Sequence, residues 1–251
     1  MKTVKLSIHN KKDLKLAANL DLPDGNVKTY AIYAHCFTCS KDLKAIININ
    51  RSLTKMGIAS LRFDMTGIGE SEGDFSETNF STQIEDFHSA ADFLSKNYKA
   101  AKLLIGHSLG GCVAIYASLK LPYVKAISVI STPSEPSSLS RKLKNTKNRA
   151  IQNGFSITEI GGVKFKFKPQ FFYDIESYSL KEELKKLKRP FLIMHSPTDT
   201  YNDISNAAEL FKNAKHPKSF ISLDGMDHLM LKKEDAFYVG NLIGIWAEKY
   251  L

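Results

Sequence analysis

Apolar and polar residues alternate along Val4–Ile8 and almost alternate along Leu14–Leu20, the period-two pattern of half-buried strands. The polar stretch Asn10–Asp13 between them predicts an antiparallel hairpin. After a turn at Pro23–Asn26, marked by its composition, the pattern changes. Thr29–Ala34 is a continuous apolar run, as a strand buried on both faces requires, and Ile58–Phe63 reads as a second buried strand. Between them Asp42–Met56 predicts a helix, with Gly57 suited to the left-handed position that closes it. Asn79–Asn97 carries Phe80, Ile84, Phe87, Ala91 and Leu94 at helical spacing. Ala101–Ile105 follows as a strand, Leu109–Leu119 as a helix and Ala126–Ile130 as a strand. Phe191–Met194, Asn202–Lys212, Lys218–Leu223 and Ala236–Tyr250 continue the alternation. Strands alternating with helices of ten or more residues predict an α/β fold with a mostly parallel sheet and helices on both faces. The leading hairpin adds antiparallel strands at one edge.

Residues 132–189 break this rhythm. Thr132–Ser138 is loop-like, Arg141–Asn148 is a basic run, and Gly161–Gly162 predicts a hairpin turn. Val163–Lys168 alternates so strictly that it reads as a strand with Lys164, Lys166 and Lys168 on one face and Val163, Phe165 and Phe167 on the other. So long a connection between two core strands exceeds ordinary loops and predicts a small lid insertion. The expected organisation is one domain over residues 1–251, with 132–189 inserted as the lid. Phe165, Phe167, Phe171 and Phe172 are expected to line a substrate pocket beneath it.

Charge sharpens the picture only locally. The formal net charge is +9, and residues 131–190 hold 13 basic and 6 acidic side chains, against 22 and 20 elsewhere. Concentrated charge suggests an anionic surface, a nucleic acid or a substrate preference. Lysine outnumbers arginine 30 to 5, which argues against base reading, where bidentate arginine is the usual tool. No nucleic-acid partner is expected. Hydrophobic residues at 43% and charged residues at 24% allow a sizeable core. No apolar run reaches the ~18 residues of a membrane span, and the N-terminal residues hold no apolar signal core. A cytoplasmic protein is expected. Three cysteines in 251 residues make no disulfide framework. Cys36 and Cys39 read as inert thiols in a packed loop, ahead of redox or metal roles.

The chemistry centres on Gly106–Gly110, a G-x-S-x-G sequence between a buried strand and a helix. A sharp strand-to-helix turn needs small flanking residues, exposes the serine hydroxyl, and aims a helix N-terminus at developing negative charge. Ser108 is the candidate nucleophile, and it needs a base and a group that orients the base. In this arrangement the chain order is nucleophile, acid, histidine. Asp199 lies past the strand Phe191–Met194, and His228 lies past the strand ending at Leu223, both where carboxyl ends of parallel strands converge. Asp227 adjoins the histidine too closely to reach its imidazole easily, and Asp203 sits at a helix start. His35 and His195 read as loop packers and His107 as part of the elbow, with His35 and His107 as candidate pocket residues. Backbone N–H groups of Phe37, in the turn after Thr29–Ala34, and of Leu109 are the candidate oxyanion donors. No metal or organic cofactor is required.

With those residues assembled, the chain resembles the α/β-hydrolase superfamily along its whole length. The resemblance rests on the Ser108 elbow, Arg62–Ser71 after the second parallel strand, the Asp199 loop and Asp227-His228. Ala34–Asp42 and His216–Asp224 are further similar to the hydrolase half of bacterial hydrolase/OsmC-like fusion proteins. The cysteine pair is ordinary for that subgroup, whereas many superfamily members carry glycine at the position of Cys36. The resemblance implies an α/β-hydrolase fold and carboxylic-ester hydrolysis. The expected function is therefore a serine ester hydrolase acting through an acyl-enzyme on a small-molecule acyl or aryl ester. Thioesterase and acyltransferase activities differ only in leaving group and acceptor. A non-catalytic binding protein with a basic contact surface is the alternative of a different class.

Overall fold

The computed structural model describes residues 1–251 and opens with the expected hairpin, β1 (Lys2–His9) against β2 (Lys15–Leu22). Strands β3 (Thr29–Ala34), β4 (Ile58–Phe63), β5 (Leu103–His107) and β6 (Ala126–Ile130) follow. A separate hairpin of β7 (Ser156–Ile160) and β8 (Val163–Phe167) comes next, then β9 (Phe191–His195) and β10 (Lys218–Ser222). The main sheet has the order β1-β2-β4-β3-β5-β6-β9-β10. β2 meets β4 antiparallel, and every pairing beyond β4 is parallel.

Helices cover both faces, which is why the central strands read as unbroken apolar runs. Tyr33 of β3, Leu103 and Ile105 of β5, and Leu192 and Met194 of β9 pack on one face against α1 (Lys44–Lys55) and the last helix, Lys233–Glu248. The intervening Ile32, Leu104 and Ile193 face α2 (Phe80–Asn97) and α3 (Leu109–Ser118) on the other side. Alternation thus persists in direction while disappearing from polarity. Asn79 starts α2 with a capping box, its side chain accepting from Thr82 N–H while the Thr82 hydroxyl accepts from Asn79 N–H. No helix is long and apolar enough to cross a membrane.

Residues 132–189 form a compact insertion between β6 and β9, with more helix than the sequence pattern reveals. It contains α4 (Ser138–Lys142), α5 (Lys144–Asn153), the β7–β8 hairpin, α6 (Pro169–Glu176) and α7 (Leu180–Lys186). The hairpin turns at Gly161 and Gly162, both with positive φ, as expected. Its face assignment needs one correction. Phe165 and Phe167 are buried, but Val163 is 55% exposed, because the strand ends beyond the aromatic cluster that covers its partners. Lys164 and Lys166 are exposed. Several insertion lysines spend their charge on nearby acids: Lys147 on Glu176, Lys168 on Glu77, Lys185 on Glu182 and Lys186 on Glu183.

Three helix starts also differ from the pattern, the final helix beginning at Lys233 ahead of the expected Ala236. The helix expected from Asp42 begins at Lys44, because the Asp42 carboxylate is engaged by Lys41 Nζ at 2.9 Å and Arg62 Nη1 at 2.7 Å. The helix expected from Asn202 is α8 (Ser205–Asn213). Asn202 is instead committed to the loop that carries Asp199. The final helix, α9 (Lys233–Glu248), follows the His228 loop.

Candidate active site

The turn from β5 into α3 holds Ser108 at φ +54°, a left-handed conformation that is uncommon for a non-glycine residue. It is pinned from both sides. Ser108 N–H donates to Ile130 O at 2.9 Å, and its carbonyl accepts from Gly111 N–H at 2.9 Å, which leaves the hydroxyl free. The flanking glycines are required by crowding. A Cβ on Gly106 would collide with the backbone of Gly110 and Gly111, and one on Gly110 with the carbonyls of Ala34 and His35.

His228 and Asp199 meet across two strand-end loops, with Nδ1 2.7 Å from Asp199 Oδ2. The carboxylate fixes Nδ1 as the protonated nitrogen and leaves the lone pair on Nε2. Asp199 Oδ1 accepts N–H bonds from Tyr201 at 2.8 Å and Asn202 at 2.9 Å, and its side chain is fully buried. Burial pushes this carboxyl up, but the bonds from His228, Asn202 and Tyr201 outweigh it and bring the pKa down to about 2. Asn202 is the hub of the loop: Nδ2 donates to Ser131 O at 2.7 Å, and its carbonyl accepts from His195 Nε2 at 2.8 Å. The competing acids have other tasks. Asp203 accepts from Ser205 N–H at the start of α8, and Asp227 accepts from Leu229 N–H at 2.9 Å within its own loop.

Two further histidines, His107 and His195, brace this pair. His107 is fully buried, stacks 5.1 Å from the His228 ring and donates from Nε2 to His228 O at 2.8 Å. Burial, reinforced by the neighbouring His228, pulls its pKa down to about 3, so it stays neutral. His195 closes β9 rather than lying in a loop, and burial lowers its pKa too. His35 donates from Nδ1 to Cys36 O at 2.8 Å and accepts from Met65 N–H at 3.3 Å through Nε2.

The loop after β3 corrects the reading of its cysteines. Cys36 and Cys39 are joined as a disulfide, with Cα atoms 5.3 Å apart, and are not free thiols; Cys112 alone is free. Two cysteines three residues apart can bridge here because the chain reverses between them: Cys39 N–H donates to Cys36 O at 3.1 Å and Thr38 has φ +61°. Phe37 lies inside this ring. Neither the Phe37 N–H nor the Leu109 N–H is taken up by another group of the protein. Past the ring, the buried Lys41 anchors the loop. Its Nζ donates to Asp64 Oδ2 at 3.0 Å and Glu70 Oε2 at 2.5 Å, and its N–H donates to Asp64 Oδ1 at 2.6 Å. Burial lowers the Lys41 pKa, but bonds from Glu70, Asp42 and Asp64 outweigh that and raise it.

A narrow cleft, with a volume of only about 10 Å³, opens beside Ser108, lined by Phe37, Leu109, Pro133, Leu139, Lys142 and Tyr201 among others. None of the expected pocket residues His35, His107, Phe165, Phe167, Phe171 and Phe172 lines it. All six are buried. The phenylalanines pack on one another and on Phe75 and Phe37, with Phe167 6.1 Å and Phe171 5.7 Å from the Phe37 ring. They therefore stand behind Phe37 as its support. Beyond Ser108, Phe37 and Leu109, the residues that line the cleft gave little sequence signal. Tyr201 and Asn202 follow Asp199 closely enough to be inferred from it, whereas Lys142 is one cation in a basic run.

Similarities to known proteins bear on this arrangement. The family model described as serine aminopeptidase, S33 (Hydrolase_4) matches residues 41–153. The esterase domain of a Rhodothermus marinus protein is 41% identical, over 100% of this chain and 99% of that one, with a TM-score of 0.80. Est1E from Butyrivibrio proteoclasticus, solved with ferulic acid bound, is 20% identical over 98% of both chains with a TM-score of 0.83, a likeness of fold. Human mitochondrial palmitoyl-protein thioesterase ABHD10 is 24% identical over 142 residues, which are 57% of this chain and 43% of that protein. The match thus spans less than half of that curated relative.

Proposed function

This chain belongs to the α/β-hydrolase superfamily, and from that premise we propose that it is a serine carboxylic-ester hydrolase working through an acyl-enzyme on a small acyl or aryl ester. The observation that carries this reading is the 2.7 Å contact of His228 Nδ1 with a fully buried Asp199, on the same end of the sheet as a serine held at φ +54°. Ser108 Oγ attacks the acyl carbonyl as His228 Nε2 takes its proton. Asp199 holds the tautomer and stabilises the imidazolium. The N–H groups of Phe37 and Leu109 receive the oxyanion, each contributing about 3 kcal/mol to transition-state stabilisation. His228 then protonates the leaving group, and water activated by the same imidazole releases the acid. Residues 132–189 act as the lid, supplying Pro133, Leu139 and Lys142 to the cleft.

The esterase neighbour of 41% identity supports ester hydrolysis, and the narrowness of the cleft beside Ser108 favours short acyl or aryl groups. Fluorophosphonate labelling, with aryl-ester turnover across acyl-chain lengths, is the test. Labelling at Ser108 with turnover falling as the chain lengthens is expected. Wild-type turnover in purified Ser108→Ala would end the proposal. The thioesterase resemblance is tested in the same assay with matched acyl thioesters.

A further inference from the structure

Among the lysines of the insertion, Lys142 alone lines the cleft beside Ser108. It sits at the end of α4 and also lines a second, shallower depression with Arg141, Thr200 and Asp203. Ser138, Lys142, Tyr201 and Asn202 are common to both, so the depression is the mouth that leads to the nucleophile. Lys142 Nζ donates to Tyr201 O and to Asn202 Oδ1 at 2.5 Å, and lies 3.8 Å from the centroid of the Tyr201 ring. All of these partners are neutral. Lys147, Lys168, Lys185 and Lys186 each have a carboxylate partner, and Lys142 has none. The Arg141 guanidinium donates only to Ser137 Oγ, at 3.2 Å.

The acids of the mouth do not cancel this charge. Asp199 is buried and bound to His228, and the Asp203 carboxylate is turned to the first turn of α8. Partial burial lowers the Lys142 pKa from its ordinary value, and the neighbouring Arg141 adds to this; the Asp199 charge opposes them only in part. Lys142 is exposed overall, yet its ammonium is held in fixed position by neutral acceptors and gains from any anion that enters.

We propose that Lys142 is a specificity-determining residue that selects esters carrying an anionic group, a carboxylate or phosphate, next to the scissile bond. This rests on the proposed hydrolase reading and names its substrate class. The ammonium supplies a fixed counter-charge at the mouth, and the exposed lysines of β8 supply none there. A merely structural lysine, tying α4 to the acid loop, would affect neutral and anionic esters alike, so the ratio of the two is the informative quantity.

The test uses two rigid ester pairs that differ in one charge. The first is 4-acetoxybenzoate against 4-acetoxybenzamide, with the anion on the leaving group. The second is the phenyl monoester of terephthalate against phenyl 4-carbamoylbenzoate, with the anion on the acyl group. In at least one pair, wild-type kcat/KM at low salt is expected to favour the anion by about tenfold, equivalent to about 1.4 kcal/mol. Lys142→Met abolishes that preference, Lys142→Arg keeps it within about threefold, and 0.5 M KCl shrinks it in the wild type. The proposal is overturned if neither pair favours the anion, or if Lys142→Met keeps the wild-type ratio. Because the ratio is internal to whatever fraction folds, and the salt arm needs no variant, a poorly folding Lys142→Met leaves the test intact. Ser108-dependent turnover of the neutral esters without charge preference defeats this inference alone. Absence of any Ser108-dependent turnover defeats the hydrolase reading beneath it.

Discussion

Replacing Asp199 by asparagine changes one atom and should disable the proposed base. The native carboxylate accepts three N–H groups, from His228 on one oxygen and from Tyr201 and Asn202 on the other. An amide has only one accepting oxygen. If its NH2 replaces Oδ1, it faces two backbone donors, and each buried donor left unmatched costs about 1–3 kcal/mol. The amide therefore keeps its oxygen there and turns its NH2 toward His228. The imidazole must then accept at Nδ1, so its proton moves to Nε2 and it can no longer take the proton of Ser108. A wrong tautomer with intact geometry costs about 10⁴ in kcat, close to 5.5 kcal/mol. Steady-state aryl-ester kinetics and fluorophosphonate labelling rates measure it, with the melting temperature as a control on folding. An Asp199→Asn enzyme within tenfold of wild-type kcat would refute the reasoning. The pH dependence has a definite sign. The native carboxyl pKa lies at about 2, below the unfolded value of about 3.9. The stability from ionised Asp199 is therefore full above pH ~4 and is lost as pH falls through about 2. The stability difference between wild type and Asp199→Asn should close over that window in urea titrations.

Other substitutions probe the supports. Lys41→Met leaves Asp64 buried without its cation and should destabilise by about 3–5 kcal/mol; a urea-unfolding loss below 1 kcal/mol would show that the backbone donors alone satisfy Asp64. Phe167→Ala empties the cluster behind Phe37 and should cost about 3–5 kcal/mol of stability, rather than acting mainly on KM as a pocket residue would. Gly110→Ala forces a Cβ against two carbonyls of the β3 end and should lower kcat far more than it raises KM, measurable at permissive temperature.

The sheet was legible because its signals are local. Ile58–Phe63 and Ala126–Ile130 match β4 and β6 to the residue, since a strand buried on both faces is bounded sharply by polar residues. Ends that depend on tertiary bonds were not legible. Asp42 and Asn202 look like helix starts, but their side chains or backbone serve partners distant in sequence, Arg62 in one case and Ser131 in the other. The short helices of the insertion carry too few turns for periodicity to speak, and Arg141–Asn148 reads as charge before it reads as helix. Ser108, Asp199 and His228 stood out because each follows a recognisable strand. Lys142 did not, because its importance lies in having only neutral partners, which no sequence pattern records. The disulfide was missed for a related reason. Spacing alone cannot tell a reversing loop from an extended one, and Thr38 in the left-handed region makes the difference.

That small ring separates two properties usually measured as one. It closes only the segment from Cys36 to Cys39, so opening it releases little chain entropy, about 2 kcal/mol by loop length, and the core under α1 and α9 is untouched. Yet the amide proposed to meet the oxyanion lies within it. Two preparations kept with and without thiol will both melt as folded protein, about 4–8 °C apart, while differing far more in specific activity. For this molecule a thermal-shift curve certifies the fold and not the catalyst, and the storage buffer becomes a kinetic variable.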